Sequence, residues 1–84
     1  MKLCYVKWAD ANGNGGVWEP IPEGEAVHLI CHTVGWVSEE TDEAVCLLQT
    51  VAVNPDDDDA CFNRLSIPKG MILEQKELFG YEVK

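Results

Sequence analysis

Four cysteines and two histidines are the side chains in this chain that could bind a metal or attack a substrate. They are Cys4, Cys31, Cys46, Cys61, His28 and His32. Zinc ligands come in closely spaced pairs, and His28 with Cys31 has such a spacing. In a strand, however, residues three apart point to opposite faces. A catalytic thiolate needs a base beside it in a cleft, which no pattern here indicates. We therefore expect a non-enzyme with no metal and no cofactor.

Carboxylates dominate the ionisable side chains, with 15 Asp and Glu against 6 Lys and Arg and a net charge of −9. They form three groups: Asp56, Asp57, Asp58 and Asp59; Glu39, Glu40, Asp42 and Glu43; and Glu19, Glu23 and Glu25. The aspartate run lacks the spacing of a calcium loop. Two interpretations stay open: a solvated surface, or a face that presents carboxylates to a basic partner in the manner of nucleic-acid phosphates.

The few cations are scattered, so we do not expect direct binding to a nucleic-acid backbone, which needs clustered positive charge. Arg64 and Lys69 could still converge near a turn and hold one phosphate, with Trp18 stacking on a base. The glycines of residues 13–16 do not form a phosphate-binding loop, because the lysine and serine or threonine of that motif are missing. A nucleotide ligand therefore remains an alternative to a protein partner.

The three tryptophans fall into two kinds of sequence context. Trp8 and Trp36 lie in strand-like segments, where large rings usually join the core. Trp18 lies between Gly16 and Pro20 in a loop. It either folds back over the end of the domain or is an exposed anchor for a partner, and the sequence leaves both open.

Alternating and β-branched residues predict five strands that would have to position these side chains. The predicted strands cover residues 3–8, 26–37, 44–53, 64–67 and 71–78. A long glycine- and proline-containing loop follows the first strand, and Pro68 to Gly70 predicts a single 3₁₀ turn. With 84 residues there is room for one domain, residues 1–84. We predict an all-β, five-stranded antiparallel SH3-like barrel, because closure protects the edges of so small a sheet.

Three segments carry a resemblance: VKWAD at 6–10, CHTVGWV at 31–37 and LSIPKGMI at 65–72. Together they resemble a group of small bacteriophage and prophage proteins with the pattern V-x-W-x-D, S/T-V-G-W and I-P-K-G-x-I. The loops VWEPIPEG and NPDDDD depart from that pattern. The resemblance implies a phage accessory protein in a bacterial cytoplasm that binds one host component, and it carries no biochemical activity.

The N-terminus lacks the apolar core of a signal peptide, and no stretch is long enough to span a membrane. We therefore expect a cytoplasmic protein with reduced cysteines. The first hypothesis is a non-enzymatic acidic protein that inhibits or sequesters a host defence protein with a basic surface. Its binding residues would be the two groups at 39–43 and 56–59, together with Trp18. The alternatives are a sponge for a nucleotide signal, and a structural or interaction module that closes a phage particle or dimerises through a strand edge, such as the one near residues 71–84.

Overall fold

A computed structural model of the protein describes residues 1–11, 18, 20–21 and 28–83. These residues form five strands and one 3₁₀ turn, and they include no α-helix. The elements are β1 (Lys2–Ala11), β2 (His28–Glu40), β3 (Ala44–Ala52), β4 (Ala60–Pro68), the 3₁₀ turn (Lys69–Met71) and β5 (Ile72–Glu82). The predicted all-β class, strand number and 3₁₀ turn are confirmed. Most of the predicted long first loop lies outside the described residues.

The strands make a single sheet in the order β4-β3-β2-β1-β5, and every neighbouring pair is antiparallel. β4 and β5 form the two edges of this sheet and are joined by the 3₁₀ turn rather than by a ladder of hydrogen bonds. The sheet is therefore open. It is nevertheless barrel-like, because Ile67 of β4 and Ile72 of β5 pack into the same core.

The core is small, and all five strands contribute side chains to it. Val6, Val45, Leu47 and Ile67 are buried, and Trp8, Val37 and Ile72 pack against them. Each fully buried aliphatic side chain of this kind contributes about 1.5–3 kcal/mol. The indole of Trp8 donates a hydrogen bond from Nε1 to Oγ1 of Thr33, 3.0 Å away. Trp8 thus joins the core while keeping its one polar group paired, as the sequence predicted for this ring.

Several strands are longer than the sequence predicted. β4 begins at Ala60, and β5 continues to Glu82, where its last residues pair with the start of β1. The backbone N–H of Val83 also donates to the carbonyl of Met1, at 2.9 Å. These extensions have weak sequence signals because their side chains are mostly exposed. In these extensions, backbone pairing with β3 and β1 defines the strands, and no apolar pattern does so.

β2 changes partner along its length. Its residues up to Trp36 pair with β1, whereas only the segment from Trp36 to Glu40 pairs with β3. β3 stays paired with β4 throughout, so residues 49–63 leave β2 as a hairpin, which we call the hairpin arm. A register shift follows Val37, two residues beyond Gly35. Gly35 itself lies where β2 passes closely over Leu47.

Candidate binding surfaces

The hairpin arm is largely outside the core. Residues 60–66 of β4 are all exposed. Two large apolar side chains flank the loop at its end: Val53 is 57% exposed and Phe62 is 64% exposed. Apolar side chains of this size add binding energy when a partner covers them. The arm therefore combines a paired backbone with uncovered apolar surface.

The aspartate run forms the loop at the tip of the arm, residues 54–59, which we call the acidic tip. Its backbone is fixed by side-chain acceptors. Oδ1 of Asn54 accepts the N–H of Asp56 at 3.1 Å, and Oδ1 of Asp57 accepts that of Asp58 at 2.8 Å. Oδ1 of Asp59 accepts the N–H of Asn54 at 3.2 Å, which closes the loop. All four aspartates are exposed, and Asp57 and Asp59 also brace the loop.

The second acidic group, at residues 39–43, has a different role because Glu40 makes contacts that stabilise the fold. Glu40, near the end of β2, accepts hydrogen bonds from Lys69 at 2.7 Å and from Gln75 at 2.8 Å. The Lys69 ammonium, and then the Gln75 amide, hold the pKa of the Glu40 carboxyl below its usual value. These contacts connect β2 to the 3₁₀ turn and to β5. Glu39, Asp42 and Glu43 are exposed in and beside the turn that joins β2 to β3.

The two acidic groups lie at opposite ends of β3. This strand has 9 residues, so roughly 30 Å of extended chain separates them. The structure therefore does not bring them into one continuous face. The third group, Glu19, Glu23 and Glu25, lies outside the described residues. The acidic tip is thus a surface of its own.

Trp18 is among the residues that the structure describes, and its side chain is 100% exposed. Of the two placements that the sequence left open, the structure has the exposed one. Ile21, in the same part of the chain, is also exposed. These two side chains add to the apolar surface that is available to a partner.

The predicted phosphate-binding pair is not assembled. Arg64 lines a cavity of about 340 Å³ at the point where β2 and β3 part, together with Thr33, Gln49 and Leu48. Lys69 is not part of this cavity, because its ammonium is bound to Glu40 at the far end of β4. The Arg64 cavity therefore has one guanidinium, several neutral polar groups and apolar walls.

A larger cavity of about 580 Å³ lies beside the N-terminus, and sequence reasoning missed it. Three glutamates line it, and one of them, Glu77, forms an ion pair with Lys2 at 3.2 Å. Cys4 also lines this cavity, and burial, and then the charge of Glu77, raises the pKa of its thiol. A protonated thiol is a poor nucleophile. No spacing in the sequence connects these residues, since they come together only through the β1–β5 register.

All four cysteines are free thiols in the structure, and Cys61 is exposed. No set of three metal-binding side chains converges within the described ranges. The described residues also include no helix that is long and apolar enough to cross a membrane. Comparisons with protein-family models, curated proteins and solved structures find no match for this chain.

Proposed function

We propose that the protein is a non-enzymatic binding protein that inhibits or sequesters a protein with a basic surface, using the acidic tip of the hairpin arm. The observation that carries this proposal is the construction of the tip. Two of its four exposed aspartates brace the loop, and uncovered apolar side chains stand on either side. A loop that is ordered before binding loses less entropy when a partner covers it.

Charge supports the same proposal. A net charge of −9 on 84 residues attracts a basic surface over a distance of about one Debye length, roughly 8 Å at physiological salt. Such attraction increases the association rate and selects against acidic partners. Consecutive aspartates also carry one negative charge per residue, as a nucleic-acid strand carries one per phosphate. A nucleic-acid-binding protein is therefore the kind of partner that the tip fits.

Apolar contacts would supply the affinity that charge alone does not. Val53 and Phe62 flank the tip, and Trp18 is a further exposed anchor. Interface energy concentrates in a few buried aromatic and aliphatic anchors, while charged rims mainly set rate and specificity. The resemblance to phage proteins favours a host protein, in particular a defence component, as the partner.

The proposal is tested by capture from bacterial lysate at low and high salt. The bait proteins are the wild type, the double variant Asp56→Asn/Asp58→Asn, and the control Glu39→Gln/Asp42→Asn. The control removes the same charge at the other end of β3. We expect one host protein to be retained by the wild type and the control and to be lost by the tip variant and at high salt. Equal capture by the tip variant would overturn the role of the acidic tip.

A nucleotide-binding function has less support. Arg64 does line a cavity, but Lys69, its expected companion, is bound to Glu40 instead. A structural role through the edge near residues 71–84 would use β5. That strand carries a lysine and three glutamates, which oppose pairing between identical edges.

A further inference from the structure

We infer that the Arg64 cavity, about 340 Å³ at the point where β2 and β3 part, binds a small monocarboxylate with an apolar body. The Arg64 guanidinium and the hydrogen-bond donors beside it hold the carboxylate. The apolar body lies against the leucine side chains of the walls. The inference does not depend on the proposed function, because no residue of the acidic tip lines this cavity.

The first argument is that Arg64 has no counter-ion in the described part of the chain. The ion pairs there use Lys2, Lys69 and Lys76, and Arg64 is in none of them. A guanidinium offers two parallel N–H groups that match the two oxygens of a carboxylate. In a chain with 15 Asp and Glu, an arginine that pairs with none of the described ones is available to a carboxylate from outside.

The second argument is that polar side chains beside Arg64 have their acceptors occupied and their donors left over. Oε1 of Gln49 accepts a hydrogen bond from Nδ2 of Asn63, which leaves the Gln49 amide group as a donor. Oγ1 of Thr33 accepts a hydrogen bond from Nε1 of Trp8 at 3.0 Å, which leaves the Thr33 hydroxyl hydrogen. Among the described residues, the lining of this cavity includes no Asp or Glu. Donors without a competing carboxylate favour an anion as the ligand.

The third argument is the polarity and size of the cavity. Leu47 and Leu48 give it buried apolar walls, whereas Val34 and Leu65 are 53% and 38% exposed beside them. A ligand whose apolar body covers Val34 and Leu65 removes this surface from water, which favours binding. Pockets for small organic ligands have volumes from about 300 Å³ upwards. The cavity therefore suits a small ligand with one ring or a short alkyl chain.

The fourth argument is charge, which selects a monoanion. A single guanidinium matches the charge of one carboxylate, and Lys69 adds no second cation because Glu40 binds its ammonium. The net charge of −9 also repels a dianion such as phosphate more strongly than a monoanion. The acidic tip itself is remote from the site. Arg64 stands opposite Leu48, and Asn54 follows after roughly 20 Å of extended chain, well beyond a Debye length of about 8 Å.

The test is a titration of the isotope-labelled full chain, followed by the NMR shifts of its amide groups. The probes are benzoate and hexanoate, which carry a flat and an extended apolar body. Benzamide, which has the shape of benzoate without its charge, and inorganic phosphate are titrated for comparison. The same spectra show whether each variant is folded.

Two pairs of variants separate the contacts of the site from the overall charge. Arg64→Gln removes the guanidinium, and its control Lys7→Gln removes one positive charge from β1, outside the cavity. Gln49→Glu keeps the acceptor for Asn63 and removes the amide donor. Its control Thr50→Glu adds the same charge at the next residue, which does not line the cavity.

We expect at least one of the two carboxylates to shift the amides of residues 33–35, 47–49 and 63–65 and to saturate them at millimolar concentration. Benzamide and phosphate should bind at least about tenfold more weakly. Arg64→Gln and Gln49→Glu should each raise the carboxylate Kd about tenfold or more, whereas their controls should change it less than about twofold. Absence of saturable shifts with both carboxylates would overturn the inference. Equally tight binding of benzamide or phosphate, or an unchanged Kd in Arg64→Gln, would overturn it as well.

Discussion

Trp36 and Leu48 stand opposite each other as the last cross-strand pair before β2 and β3 separate. On one side of this pair, β3 belongs to the sheet that covers the core. On the other side, β3 and β4 continue as the hairpin arm with the acidic tip at its end. The proposed interaction of the protein follows from this separation, because it exposes the acidic tip to a partner.

The close passage of β2 over β3 predicts that a side chain at Gly35 lowers the stability of the protein. A Cβ at this position would lie 3.1 Å from Cβ of Leu47 and 3.1 Å from the backbone oxygen of Leu48. Because a backbone oxygen in a sheet cannot easily move, Gly35→Ala should lower the free energy of unfolding by about 1–3 kcal/mol. Urea denaturation measures this change. Gly70→Ala is the control, since nothing lies within 4 Å of its added Cβ, and it should stay within about 0.5 kcal/mol of the wild type.

The contacts of Glu40 with Lys69 and Gln75 predict a pH-dependent contribution to stability. The folded protein lowers the pKa of this carboxyl from its ordinary 4.5. Its stabilisation is therefore complete above pH 4.5 and is lost as the pH falls through the folded-state pKa. The Glu40 side chain is 41% exposed, so the contribution should be about 0.2–1 kcal/mol.

Unfolding midpoints in urea across this pH range test the Glu40 prediction. Glu40→Gln should be less stable than the wild type at neutral pH, and the difference should shrink in acid. Glu39→Gln removes the same charge from the neighbouring exposed residue and should follow the wild-type profile. If the wild type and Glu40→Gln differ by a constant amount at every pH, the carboxylate makes no charge-dependent contribution.

Burial predicts a wide range of thiol reactivity. Cys61 is exposed, whereas Cys4 is 6% exposed and has a raised thiol pKa. Because the thiolate is the reacting form, alkylation of Cys4 by iodoacetamide should be at least about tenfold slower than that of Cys61. Peptide mass spectrometry over a time course gives both rates. Faster labelling at Cys4 in the folded protein would contradict the described packing of β1 against β5.

The exposure of Trp18 predicts a distinct fluorescence signal. Trp8 and Trp36 are partly buried, whereas Trp18 is fully exposed, so Trp18 should supply the component that acrylamide quenches most easily. Trp18→Phe should remove this component and leave the unfolding midpoint unchanged. Quenching of Trp18 no faster than that of the other two rings would show that the loop covers it in solution.

The fold was largely predictable because its core strands follow simple patterns. The alternation around Val6 and the apolar run before Leu48 both indicate strands whose side chains enter a shared core. The ends of β4 and β5 were not predictable, because exposed residues there leave no apolar alternation. Pairing with β3 and β1 determines those ends, and pairing depends on register, which no local pattern encodes.

The candidate site was predictable only in part. The composition of the acidic tip is visible in the sequence, and so is its position in a turn. Its separation from the acidic group around Asp42 follows from the predicted strand at residues 44–53, which lies between the two groups. The pairing of Lys69 with Glu40 depends on how the 3₁₀ turn meets the end of β2, a contact between residues that are distant in sequence. For the same reason, the phosphate-binding role expected for Lys69 and Arg64 together was not realised in the structure.

The central claim is that the acidic tip recognises a basic partner, and the association rate tests it most directly. The captured host protein is immobilised, and its association with the wild type, Asp56→Asn/Asp58→Asn and Glu39→Gln/Asp42→Asn is followed by surface plasmon resonance across a salt series. We predict that the wild-type and control rates fall together as salt increases, whereas the tip variant associates more slowly at low salt and depends less on salt. Equal rates and equal salt dependence for all three proteins would contradict the claim.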